Sequence, residues 1–296
     1  MKRFLRIVVL SLLVVMVISA VFIFKPAHFQ VTEAQERPGT KYWQLSTGSK
    51  IAYTLARGQG KRKPFPIIYL HGGPGAGITN KEVETLGKLS EDGYDVYLYD
   101  QIGCGLSGRL DNIKEYSPQR HKNDLAEIIK NINAEKVILA GQSWGSILAL
   151  SYLAENPDKV EKLIITAPGN IQPVRKEPGN IAAPDSIHLR SHYIDKRYEL
   201  IAKNIRARAI IYAAKNLNKK LAGDKEADAL LTYLTTELNR SMVCDTANAV
   251  IAEGTEGFYS HYMTLKQLNT IKDPRSALKN IHIPVLIMKG ECDIQP

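Results

Sequence analysis

The segment that most constrains the fold is Gly141–Gly145, of sequence Gly-Gln-Ser-Trp-Gly, which joins two elements of different kind. The apolar run 137–140 before it predicts a buried strand, and a helical pattern over about 144–155 follows it. A turn this tight leaves no room for side chains at its two glycine positions, and it holds Ser143 exposed at the carboxyl edge of a sheet. The helix that begins beneath the hydroxyl offers free N–H groups and the positive end of its dipole. The segment therefore predicts a strand–turn–helix junction that presents a serine hydroxyl.

Short β-type runs recur along the chain after residue 42, and helical patterns separate the later ones. Several runs are continuously apolar, as is typical of strands buried on both faces of a mostly parallel sheet. The pattern at 119–133 predicts an amphipathic helix after a Ser-Pro start. This alternation predicts an α/β fold with helices on both faces of the sheet. The predicted strands are Tyr42–Leu45, Ile51–Ala56, Pro66–Leu70, Tyr94–Tyr99, Lys136–Ala140, Lys162–Thr166 and Pro284–Met288.

The region 170–280 breaks this alternation, because it contains no clear strand and two long amphipathic helical stretches. In the first stretch, apolar residues recur at helical spacing from Ile194 to Ala209. Residues 190–225 contain ten Lys or Arg against three Asp or Glu. We interpret the region as a helical insertion between two strands of the sheet. Its basic face is either an ordinary solvated surface or a contact with anionic lipid headgroups.

The N-terminus carries an uncharged run of 18 residues, Ile7–Phe24, preceded by three basic residues. A bilayer core of roughly 30 Å needs about 20 apolar residues in a helix, so the run is just long enough to span it. We expect an uncleaved signal-anchor with the rest of the chain outside the cytoplasm; a signal peptide cleaved from a secreted protein and a buried core helix are the alternatives. The predicted division of the chain is a signal-anchor at 1–25, a tether at 26–41, a sheet core at 42–169 and 281–296, and the insertion at 170–280.

Two further turns follow predicted strands and are expected at the same sheet edge. The first is a glycine-rich loop, His71–Gly77, whose backbone N–H groups would form half of an oxyanion hole, with the Trp144 N–H as the other half. A phosphate-binding loop is the rival interpretation, but the Gly-Lys-Ser/Thr ending is absent. His71 is either a base or, as we prefer, a hydrogen-bonded brace of the loop. The second turn is Asp100–Ser107, and the turns together predict one ligand-binding crevice.

The residue composition indicates neither a cofactor nor a nucleic-acid partner. The formal net charge of +9 is modest and partly N-terminal, and no cysteine pair has the spacing of a zinc site, so we expect no metal. The three cysteines are too few and too far apart for a disulfide framework. Cys104, beside the crevice, is expected to be a small buried residue. The oligomeric state stays open.

In this order, the sequences His-Gly-Gly-Pro-Gly, Asp-Gln-x-Gly-x-Gly-x-Ser and Gly-Gln-Ser-Trp-Gly resemble the proline iminopeptidase-like branch of the α/β-hydrolases. The resemblance implies a serine hydrolase that releases the N-terminal residue of a short peptide through an acyl-enzyme. It implies Ser143 as nucleophile, Asp293 as triad acid, and the N–H groups of Gly73 and Trp144 as oxyanion hole. Glu253 and Glu256 are candidates to hold the substrate ammonium. The other residues expected in the site loops are His71, Gly72, Asp100, Gln101, Gly141, Gln142 and Gly145.

Two departures from the family pattern bear on this function. Ile102 stands where family members usually have Arg, which alters the charge near the substrate. The catalytic His should follow the acid after a further strand, whereas the sequence ends at Pro296, so we expect a C-terminally incomplete hydrolase. His282 is expected at the opposite sheet edge; His188, His192 and His261 lie in the insertion. A carboxylesterase or lipase-like hydrolase, and a non-catalytic homologue or fragment without the triad His, are the alternatives.

Overall fold

The computed structural model describes residues 1–173 and 194–290 of the chain. The predicted acid Asp293 and the candidate bases His188 and His192 lie outside these ranges. The strands of the described part are β1 (Lys41–Gln44), β2 (Lys50–Ala56), β3 (Ile67–Leu70), β4 (Val96–Tyr99), β5 (Val137–Ser143), β6 (Val160–Pro168) and β7 (Val285–Met288). Its α-helices are α1 (Lys2–Phe24), α2 (Asn80–Leu86), α3 (Pro118–Ile132), α4 (Trp144–Glu155), α5 (Arg197–Lys203), α6 (Ile205–Tyr212), α7 (Asp224–Ser241), α8 (Phe258–Lys266) and α9 (Arg275–Leu278).

These strands form one sheet in the order β1-β2-β4-β3-β5-β6-β7. The β1–β2 and β2–β4 pairs are antiparallel, and every later pair is parallel. The predicted α/β class with a mostly parallel sheet is therefore confirmed. Parallel pairing brings the carboxyl ends of β3, β4 and β5 to one edge, and the three predicted turns leave the sheet there.

Helices cover both faces of the central strands, as the apolar runs predict. Along β3, Ile68 and Leu70 pack into a large core with α3 and α4, whereas Ile67 and Tyr69 pack into a smaller core with α2. This alternation follows from the two-residue period of a strand. β5 extends beyond its predicted end at residue 140, because it stays paired with β6 through Gln142. The extension carries Ser143 to the end of the strand.

The first helical stretch of the insertion is two helices rather than the single one that we predicted. Asn204, between α5 and α6, has extended backbone angles (φ −113°, ψ 102°), and its side chain accepts a hydrogen bond from the Ala207 N–H. Asparagine favours such a cap over a helix interior, because its amide competes for backbone groups. The apolar periodicity was preserved across the break, so the pattern alone did not reveal it.

α1 and the segment after it contact the insertion. The apolar side chains of α1 are mostly exposed, and the helix is a candidate membrane span by length and composition. The predicted tether 26–41 lies against the body: the rings of Phe29 and Tyr233 are 6.0 Å apart, and the Arg37 side chain is 2% exposed. A Cβ on Gly254 would come within 2.1 Å of the Thr32 carbonyl oxygen, which shows how closely the segment packs.

Cys244 is disulfide-bonded, which the sequence did not predict. Cys104 is a free, buried thiol, and burial raises its pKa well above the ordinary value. The remaining cysteine, Cys292, lies outside the described residues.

Candidate active site

Ser143 occupies a sharp turn between β5 and α4. Its φ of 49° and ψ of −113° are angles that non-glycine residues rarely adopt, and such strain persists only where the surroundings enforce it. The residue is half-buried, and within the described ranges no group is hydrogen-bonded to its hydroxyl. The turn thus presents an unpaired hydroxyl at the carboxyl edge of the sheet.

The glycines on either side of Ser143 are required by close backbone contacts. A Cβ on Gly141 would lie 2.5 Å from the Gly145 carbonyl oxygen, and one on Gly145 would lie 1.9 Å from the Leu70 carbonyl oxygen. The absence of a Cβ at Gly141 allows the chain to turn, and its absence at Gly145 allows α4 to pack against β3. These contacts are the steric reason, predicted from the sequence, for glycine at both positions.

Gly145→Ala is expected to destabilise the protein by about 2–3 kcal/mol, because the β3 backbone cannot yield to the added methyl group. The matched control is Gly87→Ala, since Gly87 has helical angles and an added Cβ would only touch the Ala56 side chain at 3.6 Å. Urea unfolding in detergent followed by circular dichroism measures both. Equal stability of the two variants would contradict the close approach of α4 to β3.

A buried hydroxyl fixes the backbone on the far side of the turn. Ser146 donates a hydrogen bond of 2.5 Å to the Ser143 carbonyl oxygen and accepts one of 3.0 Å from the Gly169 N–H. It therefore ties the first turn of α4 to the end of β6. Two features therefore enforce the strained backbone angles of Ser143: the close backbone contacts at Gly141 and Gly145, and the two hydrogen bonds of the Ser146 hydroxyl.

The loop 71–77 passes directly beside Ser143. A Cβ on Gly72 would lie only 3.4 Å from the Ser143 Cβ. The next residue, Gly73, has a φ of +110°, and an added Cβ would meet the N–H nitrogens of Gly75 and Ala76 within 2.7 Å. Trp144 opens α4, so its N–H is one of the helix N-terminal donors without a carbonyl partner in the helix. Gly73 thus follows the residue that adjoins Ser143, and Trp144 directly follows Ser143 along the chain.

His71 is buried, and both of its ring nitrogens are engaged. Nε2 lies 3.0 Å from the backbone nitrogen of Gln101, which donates to it. Nδ1 must then carry the proton and donate to the Gly72 carbonyl oxygen at 2.9 Å. Burial lowers the pKa of His71, which favours this neutral form. His71 is therefore placed as a brace of the loop, and neither nitrogen is available to Ser143 as a base.

Gln101 links the site loops to one another. Its side-chain nitrogen donates to the His71 carbonyl oxygen at 3.0 Å, and its side-chain oxygen accepts from the Trp144 indole N–H at 2.8 Å. One buried amide thus joins the ends of β3, β4 and β5. Gln142, preceding the serine, lies 2.9 Å from the Tyr69 hydroxyl through its side-chain oxygen and is held against β3.

Asp100 is fully buried, and no sequence motif indicated the residue that neutralises its charge. Its carboxylate accepts hydrogen bonds from the N–H groups of Ile78, directly after the loop 71–77, and of Leu106, in the turn 100–107. Its counter-ion is Arg37, whose Nη2 lies 2.7 Å from Oδ2. Arg37 also donates to the Ile78 carbonyl oxygen at 2.9 Å. No sequence signal marked Arg37, because it lies in a polar segment far from the motifs.

The two acids considered for the substrate ammonium lie in different places. Glu256 is 4% exposed, accepts a hydrogen bond of 2.9 Å from Thr232, and adjoins Gly257, whose N–H donates to the Gly75 carbonyl oxygen. Burial raises the pKa of Glu256 to about 7. Glu253 instead lines a cavity of about 180 Å³ with the 32–37 segment and Thr79. Of the two acids, Glu256 is the one whose neighbour Gly257 is hydrogen-bonded to the loop 71–77.

The described histidines of the insertion side differ in their relation to the site. His261, on α8, is half-buried, and its Nδ1 lies 2.9 Å from the Pro74 carbonyl oxygen of the loop. Burial lowers its pKa to about 4. His282 lies before β7, in an open depression with Lys136 and Pro157 at the opposite edge of the sheet. Within residues 1–173 and 194–290, no three His, Cys, Asp or Glu residues are grouped to hold a metal ion.

Comparison with protein families shows a match to the alpha/beta hydrolase fold family over residues 66–293. The chain is 35% identical over 103 residues to a proline iminopeptidase of Clostridium botulinum, which covers 34% of each protein. It is 33% identical over 121 residues to that of Clostridioides difficile, covering 40% of each. Over 106 residues it is 37% identical to that of Lactobacillus delbrueckii subsp. bulgaricus, covering 34% of this chain and 35% of that protein. The chain thus matches between a third and two fifths of the length of these relatives.

Solved structures support the same fold at lower identity. An esterase of Exiguobacterium antarcticum is 20% identical with a TM-score of 0.54, and the match covers 83% of this chain and 79% of that one. A carboxylesterase structure from Nitrososphaera gargenis is 17% identical with a TM-score of 0.55, over 84% of this chain and 80% of that one.

Proposed function

Because the chain belongs to the alpha/beta hydrolase fold family, we propose that it is a membrane-tethered serine hydrolase that cleaves an amide or ester through an acyl-enzyme. The observation that carries the proposal is Ser143, whose unpaired hydroxyl stands at a strained turn beside the loop 71–77. The similarity to proline iminopeptidases makes release of an N-terminal residue from a short peptide the first candidate reaction. No cofactor or metal enters this mechanism.

The proposed reaction has two halves. Ser143 Oγ attacks the substrate carbonyl carbon while its proton passes to an imidazole base, and the carbonyl oxygen becomes an oxyanion held by the Gly73 and Trp144 N–H groups. The imidazolium returns the proton to the departing amine or alcohol as the scissile bond breaks, which leaves an acyl-serine. Water then attacks the acyl carbon by the same proton route and releases the acid. Asp293 is the proposed acid that orients the base. The base is the His that this type of triad places after the acid along the chain, and residues 294–296 contain no His.

Three kinds of substrate distinguish an aminopeptidase from a carboxylesterase. An aminopeptidase hydrolyses a proline arylamide with a free amino group but not its N-acetylated form, whereas a carboxylesterase prefers short acyl esters. Ile102 is buried where relatives usually carry Arg, which keeps the carboxylesterase alternative in consideration. Comparison of kcat/KM on these three substrates, with the full chain in detergent, decides between them. Hydrolysis of none of them, without covalent labelling by a fluorophosphonate probe, supports a non-catalytic homologue instead.

Glu256 is the residue that we propose to bind the substrate ammonium, since its neighbour Gly257 is hydrogen-bonded to the loop 71–77. A charge-assisted hydrogen bond of this kind contributes about 1.5–3 kcal/mol. Glu256→Gln is therefore expected to lower kcat/KM on the free proline arylamide about 10- to 100-fold and to leave short acyl esters unchanged. Glu253→Gln is the matched control and should change neither substrate. An equal loss on both substrates in Glu256→Gln would indicate a structural role only.

The raised pKa of Glu256 predicts the pH dependence of this recognition. The carboxyl is neutral below its pKa of about 7, so its attraction for an ammonium is lost as the pH falls. A substrate α-amino group itself loses its proton above roughly 8. The ratio of kcat/KM on arylamide to that on ester should therefore rise from pH 6 to about 7.5. Steady-state rates across this range check it, and Glu256→Gln should abolish the rise.

We propose that α1 remains as a single-pass anchor and holds the hydrolase outside the cytoplasm; a secreted form after signal cleavage is the alternative. The disulfide at Cys244 supports an oxidising compartment, because such bonds are rare in the cytosol. We also propose that 42–169 and 281–296 form the hydrolase core and 170–280 its helical insertion. Retention in membranes after alkaline carbonate extraction, with protease access only from the outer side, tests the anchor. Release of the full-length protein would contradict it.

A further inference from the structure

Two charged side chains of the insertion, Arg206 and Glu226, hold the backbone where the chain leaves α1. We call these contacts the clamp, and they fix the insertion next to the end of the apolar helix. Arg206, on α6, donates from Nη1 to the Ile23 carbonyl oxygen at 2.6 Å. Glu226, on α7, accepts from the Ala27 N–H at 2.8 Å and pairs with Arg206, also at 2.8 Å. The clamp thus holds the backbone on both sides of Lys25. If α1 spans a bilayer, α6 lies at the level of the lipid headgroups.

The exposed side of α6 has the composition of a membrane-contacting surface. The helix continues as a π-helical turn, Ala213–Leu217, and the sequence 205–223 contains no Asp or Glu. Arg208, Tyr212 and Lys215 are exposed at intervals of three or four along this helix, and Lys219 is exposed just after its end, because Asn218 has left-handed backbone angles. We call these four residues the basic stripe.

The charges of the basic stripe are not neutralised by the protein. Within the described ranges, no carboxylate forms an ion pair with Arg208, Lys215 or Lys219. Tyr212 between them is 59% exposed, and Leu217 is 53% exposed. Tyrosine prefers the headgroup region of a bilayer, and lysine and arginine there attract anionic lipids. The stripe therefore combines an exposed aromatic ring with three cations that no carboxylate of the described residues neutralises.

We propose that the basic stripe binds the surface of an anionic bilayer and thereby fixes the orientation of the hydrolase on its membrane. The proposal rests on the proposed anchoring by α1, which brings the stripe to the headgroups. The surface continues toward the candidate site: Lys215 Nζ lies 5.9 Å from the centre of the Tyr262 ring, and the adjacent His261 contacts the loop at Pro74. Docking of the stripe therefore holds this side of the site close to the bilayer.

A fluorescent reporter in the stripe tests the proposal with the full chain in proteoliposomes. Tyr212→Trp places an indole at the proposed contact, and Tyr42→Trp places one on the exposed strand β1 as control. Vesicles carry acyl-brominated phosphatidylcholine, alone or with 30% phosphatidylglycerol brominated in the same way. We expect quenching of the Tyr212→Trp signal in the anionic vesicles, at least twofold above that in neutral ones, and no difference for Tyr42→Trp. High salt should remove the difference.

Charge variants then show whether the stripe causes the contact. A Lys or Arg near an anionic surface favours binding roughly fivefold, so the triple change R208Q/K215Q/K219Q should weaken docking about 100-fold and abolish the quenching. The matched triple K130Q/K159Q/K162Q removes three exposed lysines from the core and should leave quenching intact.

The possible results distinguish a failure of the docking surface from a failure of the proposed anchor. Retention after carbonate extraction without quenching of Tyr212→Trp overturns the docking surface and leaves the anchor standing. Equal quenching in neutral and anionic vesicles, or equal loss in both triple variants, also overturns it, because the stripe charges would then have no specific effect. Release of the protein by carbonate overturns the anchor and the docking surface together.

Discussion

In a chain that also carries the triad His expected after Asp293, Ser143→Ala is expected to abolish covalent labelling by a fluorophosphonate probe and to lower the hydrolytic rate by about 10⁴–10⁶. The probe phosphonylates a serine, with loss of fluoride, only where the hydroxyl is activated and the developing oxyanion is stabilised, and the variant removes the attacking oxygen. The change deletes one oxygen atom at a half-buried position without a hydrogen-bond partner in the described residues, so the fold should be retained. Mass spectrometry of the labelled peptide and steady-state rates give the result.

The matched control is Ser151→Ala, on the same helix and also half-buried. It should label and hydrolyse as the unaltered chain does. Labelling of Ser143→Ala at the rate of the unaltered protein would place the nucleophile elsewhere. Absence of labelling in every form, with normal circular dichroism, would favour the non-catalytic alternative.

Arg37→Met is expected to lower the free energy of unfolding by about 3–5 kcal/mol. Removal of one partner from a buried ion pair leaves the other charge uncompensated, and Asp100 is fully buried. Because Asp100 holds the N–H groups of Ile78 and Leu106, both site loops should also become more mobile. Urea unfolding in detergent gives the stability, and hydrogen exchange of residues 72–78 gives the loop mobility.

A second substitution distinguishes lost charge compensation from lost packing. Arg37→Met with Asp100→Asn should be more stable than Arg37→Met alone, because no buried charge remains unpaired. Lys225→Met is the control for the same segment, since Lys225 pairs with Glu33 at an exposed position and should show no measurable change. If the double variant is less stable than Arg37→Met, the charge of Asp100 is not the cause of the loss.

The strand–turn–helix at Ser143 was predictable because its causes are local. Gly141 and Gly145 are separated by four positions, and the contact between them follows from the tightness of the turn itself. The mostly parallel sheet was predictable for a similar reason, since continuous apolar runs are needed wherever helices cover both faces. The family resemblance, which rested on the three loop motifs, is confirmed by the match over residues 66–293.

Features that depend on distant partners were not predictable. The partner of Arg37 lies 63 positions along the chain, and nothing in a polar segment distinguishes an arginine that is buried from one that is solvated. The sequence also did not show that Glu253 and Glu256 lie in different surroundings, because a spacing of three residues on an irregular turn does not fix the directions of the two side chains. The break at Asn204 was missed because the apolar pattern continued across it. The roles of Gly73, Trp144 and Asp293 stay predictions.

The clamp between Arg206, Glu226 and the end of α1 has a consequence for motion. The two side chains belong to α6 and α7, in the region that we propose as the insertion, and they hold the backbone where the chain leaves α1. If α1 is anchored, α6 and α7 are therefore the helices held most directly by the anchor, and any relative movement would displace the sheet rather than these two helices.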